Sequence, residues 1–401
     1  MSNPMNFVPV RRHPTGWARV ALLLAMAVAL VAGCGGVDSG GTGTYASGPI
    51  TGFGSIIVNG VRFDESTAAV LDDDDFSRQR GELRLGMTVE VDSDAIRSSA
   101  SGRSAVASRV RFASAIVGPV ADVDVAAGRF TVLGQTVAVA VDTVFDERLS
   151  GGLAGLSVGQ GLEIYALYDA ANARYAATRI EPTTALPNGV LRGPVNALDK
   201  TARTLRIGNT TFVYAALAGA PADLAVGSIV RLRVSTLPDA NGRYTVTSFG
   251  TAVRSPDDRD EGELEGLVTA YTSIAAFQVN GLAVDASAAS IDPGAAAVRL
   301  GARLAVKGSV RGGVLVATRV EVQSDRTVED RGFELSGNIS AVDPVARTFV
   351  VRGQAVSWAR SDLRLKNGTL ASLAVGRRVE VKARLTAERT LLEATEIDFK
   401  D

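Results

Sequence analysis

A glycine-led tripeptide recurs along this chain at nearly constant spacing, and no other feature limits its fold as strongly. Gly48-Pro49-Ile50 is followed by Gly118-Pro119-Val120, Gly193-Pro194-Val195, Gly266-Leu267-Val268 and Gly337-Asn338-Ile339, at steps of 70, 75, 73 and 71 residues. Further landmarks keep the same phase. A second glycine stands 12 to 16 residues into each copy (Gly60, Gly134, Gly208, Gly281, Gly353), within or just after runs such as SIIVNG, RFTVLG and AFQVNG. A third (Gly86, Gly159, Gly227, Gly301, Gly376) precedes runs such as MTVEV and RRVEV, and the copies close on ASRV, ATRI, VTSF, ATRV and ATEI. A fixed period with the same internal landmarks means five copies of one module.

Alternating β-branched residues flank the second glycine, the pattern of hairpins whose turns need positive φ. A phosphate loop would set its glycines at a helix N-terminus. Gly52-Phe53-Gly54 instead leads to Ile57 where the third glycine of GxGxxG would stand, and no helical period follows. Each module reads as three strands, a short connector and a final hairpin. The expected fold class is therefore all-β: five tandem small antiparallel β-barrels of five strands each, OB-like, with an SH3-like or split barrel as the alternative. Closure hides strand edges that would otherwise pair between neighbours. The expected repeats span 48–113, 117–182, 190–250, 264–323 and 334–399. Residues 251–263 and 324–333, polar and charged, read as linkers in a jointed rod.

The first residues have a different character. Arg11, Arg12 and Arg19 precede an apolar run from Val20 to Leu30 that ends in Val31-Ala32-Gly33-Cys34. A basic segment, a short apolar stretch and small residues make a secretory signal, too short for a comfortable span. LVAGC resembles a bacterial lipobox, which implies a signal peptide over 1–33 and Cys34 as the lipidated first residue of the mature chain. Gly35 after it resembles the outer-membrane default for lipoproteins, and residues 34–47, rich in glycine, read as a tether. Two or more acyl chains give stable anchoring, so the membrane is one expected partner.

Losing that segment removes His13, the only histidine, and shifts the formal charge from −1 to −4. Cys34 is the only cysteine. Ser-His-Asp or Cys-His catalysis and His- or Cys-ligated metals are thereby excluded. The acidic balance and 5% aromatic content argue against nucleic acid.

The G-[PN]-[IV] opening, the x-V-x-G hairpin, the [LV]-G-x-x-[VL] strand and the A-T-R-[VI] ending together resemble a tandem repeat domain of proteobacterial envelope lipoproteins that carries a domain-of-unknown-function label. The resemblance covers about 48–399. VTSF in the third copy departs from it. It implies small β-barrels and no catalytic residue.

Four groups of residues offer chemistry. Asp72, Asp73, Asp74 and Asp75 form the densest acidic run and are the weak Ca²⁺ candidates, although they lack EF-hand spacing and read better as a solvated loop. Glu90, Glu163 and Glu380 share a place in strand four, on the face that alternation assigns to solvent. Arg109, Arg179 and Arg319 share one in strand five, as cross-strand partners of those glutamates or as an anion-binding surface. Phe63, Phe112, Phe130, Phe277 and Phe349 read as core, and Trp358, the one tryptophan after the signal, as the aromatic best placed to bind a partner. No cofactor is expected. The expected function is a non-catalytic, lipid-anchored binding or spacer role at the bacterial outer membrane, making multivalent contact with an envelope protein or polysaccharide. The alternative is a carboxylate-based glycan hydrolase centred on repeat 1.

Overall fold

The computed structural model describes Met1 and residues 43–100, 102–251, 253–324 and 332–400. The rest of the expected signal peptide, 2–33, and Cys34 lie outside these residues. Contacts set Met1–Gly40 apart from a compact unit, Gly41–Asp401, and only the latter concerns the fold.

Alternating apolar residues make the strands, and their pairing closes barrels. In repeat 2 the strands are Ile116–Asp124, Arg129–Val132, Gln135–Phe145, Gly161–Asp169 and Arg174–Pro182. Strand one pairs with two, two with three, three runs parallel to five, five pairs with four, and four returns to one. The ring is closed. Repeat 1 closes in the same order through Thr44–Phe53, Ile56–Val58, Val61–Asp64, Thr88–Ser93 and Gly102–Phe112. The strands of repeat 4 (Arg259–Ser273, Ala276–Val279, Leu282–Asp285, Arg303–Arg311, Val314–Gln323) repeat it. So do those of repeat 5 (Phe333–Asp343, Thr348–Val351, Gln354–Ser357, Arg378–Leu385, Leu392–Phe399). In repeat 3 strand one breaks: Gly189–Pro194 pairs with Ile229–Val234, and Ala197–Asp199 with Thr204–Ile207. A single 3-10 turn stands in the connector of four repeats, at Arg80–Glu82, Gly152–Gly155, Ala295–Ala297 and Leu370–Ser372. The expected hairpin turns are present, with positive φ at both Asn59 and Gly60 and at both Asn280 and Gly281.

The closing tetrapeptides have a specific use. In every repeat the ladder between strands four and five skips one residue there: Ser108, Thr178, Thr247, Thr318 or Thr395. Each is a β-bulge. Ser108, Thr318 and Thr395 donate their hydroxyls to the strand-four carbonyls of Asp92, Lys307 and Lys382, at 3.1, 3.2 and 3.1 Å.

Three expectations about boundaries are corrected. Thr44–Ser47, read as tether, is strand, paired with Ser93–Glu90 on one side and Glu261–Leu264 on the other. Arg259–Glu263, read as linker, belongs to the same ladders, because pairing on both sides supplies what glycine and charge withhold locally. The rod, in which each repeat touches only its sequence neighbours, does not form: strand one of repeat 1 runs parallel to strand one of repeat 4 and of repeat 5. Apolar packing follows. One core joins Ile50 and Phe63 to Leu335 and Phe349, another joins Phe130 to Phe212, and Tyr45 of repeat 1 enters the core of repeat 4. Barrels of this size are marginal alone, and shared cores add buried area to each.

Candidate functional site

The Asp72–Asp75 run folds into a turn because Asp72 Oδ1 accepts from the Asp74 and Phe76 amides at 2.9 and 3.0 Å. The turn delivers the next three carboxylates to arginines. Asp73, 7% exposed, accepts from Arg192 at 2.6 Å. Asp74 takes both Arg231 nitrogens, at 2.6 and 3.0 Å, and Arg233 at 2.7 Å. Asp75 meets Arg111 and, at 2.9 Å, Arg254. Arg78 donates to Asp72 at 2.9 Å. The solvated-loop reading holds for Asp74 and Asp75, which stay exposed, but the run is also the contact by which repeat 1 grips repeat 3. Guanidinium forks occupy the oxygens a Ca²⁺ ion would need. Among the described residues, no group of three or more His, Cys, Asp or Glu could hold a metal ion. Hydrogen bonding from Arg231, against the opposing effect of burial, holds the Asp74 carboxyl below its usual value.

The repeated arginines part company. Arg109 pairs with Asp92 at 2.7 Å, and Arg111, not Arg109, stands opposite Glu90. Arg179 is 3% exposed, holds Asp146 at 2.9 Å and Glu181, and donates to the Leu85 carbonyl of repeat 1 at 3.2 Å. Its register partner is Tyr165, with Glu163 opposite Glu181. The expected Glu90–Arg109 and Glu163–Arg179 pairs are therefore replaced by others. Arg179 is not an open binding surface. Arg319 stays exposed, opposite Lys307. Trp358 is half-buried and packs against Phe349 with ring centroids 6.0 Å apart, so it closes a core. The five phenylalanines are buried as expected.

The strand-four glutamates lie at junctions between repeats. Glu380 meets Arg62 of repeat 1 at 3.2 Å. Glu163 lines a polar cleft of 410 Å³ together with Glu181, Tyr165, Arg179, Arg78 and Arg148. Burial, reinforced by the Glu181 charge, pushes the Glu163 carboxyl up. Tyr165 donates to Glu163 at 3.2 Å. Burial likewise raises Glu90. Glu181 escaped sequence reasoning; its one signal is a carboxylate two residues after Arg179, on the same strand face.

A search of curated proteins finds no match. Among solved structures, the chain resembles a multidomain protein with nucleic acid binding domains from Streptococcus pneumoniae TIGR4 at 10% identity, covering 51% of this chain and 72% of that one. The TM-score of 0.13 is too low to carry an argument. The family described as "Domain of unknown function (DUF5666)" matches residues 47–111, 117–181, 265–321 and 336–398. The broken strand one and the VTSF ending of repeat 3 fall outside these matches. More than half of the sequence is covered, and the chain belongs to the DUF5666 family.

Proposed function

We propose that this protein is a non-catalytic lipoprotein of a proteobacterial outer membrane, anchored through Cys34. Its five tandem OB-like barrels form a binding or spacer body for an envelope protein or polysaccharide. The observation that carries this reading is the use of the charged residues. Asp73, Asp74, Glu380 and Arg179, the side chains best suited to chemistry, are engaged in contacts between repeats. Holding a rigid body together is what these groups do here. A partner would then meet several repeats in fixed geometry, which favours multivalent contact over independent capture by each barrel.

Photo-crosslinking in intact cells, from exposed strand-five sites such as Arg319, tests the binding role. One dominant protein or glycan captured from several repeats supports it, and no specific adduct from any site counts against it. Labelling with radioactive palmitate tests the anchor: label on the wild type and none on Cys34→Ala is expected.

A second reading, a glycan hydrolase, gains one observation. Glu163 and Glu181 oppose each other in an open cleft, one pushed toward the protonated form and the other beside Arg179, as an acid and its carboxylate partner require. The arginine pairing of Asp72–Asp75 speaks against centring it on repeat 1. Release of reducing ends from envelope glycan, abolished by Glu163→Gln, would establish this reading.

A further inference from the structure

The strand-four glutamates of repeats 5 and 2 meet the same difficulty and resolve it differently. In repeat 5, Glu380 stands directly opposite Asp398 in the ladder. Like charges in that arrangement destabilise a sheet. Lys400 relieves them, with its Nζ 3.2 Å from Glu380 and 2.5 Å from Asp398. In repeat 2, Glu163 stands directly opposite Glu181 in the equivalent place. The residue that corresponds to Lys400, two positions beyond the opposing acid, is Thr183, which carries no charge. Arg179 Nε bonds Glu181. Glu163 forms no ion pair among the described residues; it accepts from the Tyr165 hydroxyl at 3.2 Å.

This acid pair opens on the polar cleft of 410 Å³ between repeats 1, 2 and 5, and both carboxylates are partly exposed there. Five carboxylates line the cleft (Glu82, Asp146, Glu147, Glu163 and Glu181) against four guanidiniums. One of the four, Arg78, is drawn away to Asp72 at 2.8 Å. The cleft is therefore acidic on balance. A metal ion would need more oxygens than this pair supplies, and among the described residues no group of three acids is set for one. An ammonium asks less, since it brings three donors on one compact charge. The apolar walls, Met87, Phe112 and Phe145, are themselves buried, so a ligand meets charged and amide groups such as Glu82, Arg84 and Gln354. Those groups can bond the hydroxyls of a sugar ring, whereas the alkyl stem of a lysine would leave them without partners.

We propose that this cleft binds the primary ammonium of an amino sugar between Glu163 and Glu181, in the position that repeat 5 fills with its own Lys400. Glu147, exposed at the same cleft and without an ion pair among the described residues, takes the amine of the next unit in a de-N-acetylated glycan. The proposal rests on the envelope-polysaccharide reading above and names its site. The size suits it, since ligand pockets begin at about 300 Å³.

Calorimetric titration of the detergent-solubilised full chain, slightly below neutral pH, is the test. It compares a trimer of glucosamine with tri-N-acetylchitotriose, which has the same rings and no charge. The amine trimer binds and the acetylated one does not. Glu163→Gln weakens binding at least ~10-fold without lowering the melting temperature, because it removes one of two opposed acids. Thr183→Lys also weakens binding and raises the melting temperature, since it gives repeat 2 an ammonium of its own. Glu90→Gln, at the equivalent glutamate of repeat 1, leaves the affinity unchanged. Failure of the wild type to bind the amine trimer at millimolar concentration overturns the proposal, as does equal affinity for the acetylated trimer or in Glu163→Gln. Tighter binding of trilysine would assign the cleft to a basic peptide and overturn it too. Glycan captured by crosslinking at other sites in any of those events would leave the envelope reading standing.

Discussion

Arg179 carries three obligations at once: Asp146, Glu181 and the Leu85 carbonyl of a neighbouring repeat. Removing one partner of a buried ion pair typically costs about 3–5 kcal/mol. Arg179→Met should therefore lower the urea midpoint sharply, whereas Arg319→Met, at an exposed position, should stay within about 0.5 kcal/mol of wild type. Two carboxylates give opposite pH signatures. Asp74 is depressed by Arg231, so its contribution is present above the unfolded value of about 3.9 and vanishes as pH falls through the lower folded value. Glu163 is raised by burial, so its contribution is present below about 4.3 and lost as pH rises through the higher folded value. Asp74→Asn should thus destabilise more at pH 7 than at pH 2. Glu163→Gln should stabilise at pH 7 and change little at pH 2. Denaturant unfolding at both pH values checks the pair.

At the scale of an element, the third glycine of each repeat looks equivalent in sequence but is not in space. Gly86 has φ +80°, and a Cβ there would lie 2.3 Å from the Thr178 carbonyl of repeat 2. Gly159 has φ +86° with open space around it. Gly159→Ala should cost the left-handed backbone penalty, roughly 1–2 kcal/mol. Gly86→Ala should cost that plus the separation of two repeats, and thermal melts of the two variants should differ accordingly. The bulge hydroxyls divide likewise. Thr395→Val breaks a bond to Lys382 and should lose about 0.5–1.5 kcal/mol, where Thr178→Val loses none. Repeats, hairpins and the all-β class were readable because each depends on residues a few positions apart. The bulges were not, since ATRI reads as an unbroken strand until its ladder partner is known.

In the whole molecule, repeat 1 is the hub. Asp73 and Asp74 reach repeat 3, Arg103 reaches Glu263 of repeat 4, and Arg62 reaches Glu334 of repeat 5 at 2.6 Å. Asp73→Asn with Asp74→Asn should therefore release repeat 3, seen as faster amide exchange confined largely to 189–250. Uniform protection there would count against the clamp. Alternation along MTVEV and GLEIYAL correctly separates the inside of a barrel from its outside. It assigned Glu90 and Glu163 to water because it cannot register that another barrel covers that outside. The distant contacts of the Asp72–Asp75 run escaped notice for the same reason: Arg192, Arg231 and Arg254 lie about 120 to 180 residues away. The repeat, its hairpin turns and its phenylalanine core followed from the sequence alone, because local periodicity and turn chemistry depend on near neighbours. Which carboxylate meets which arginine came only with tertiary structure, because burial and charge pairing are properties of surfaces brought together from distant parts of the chain.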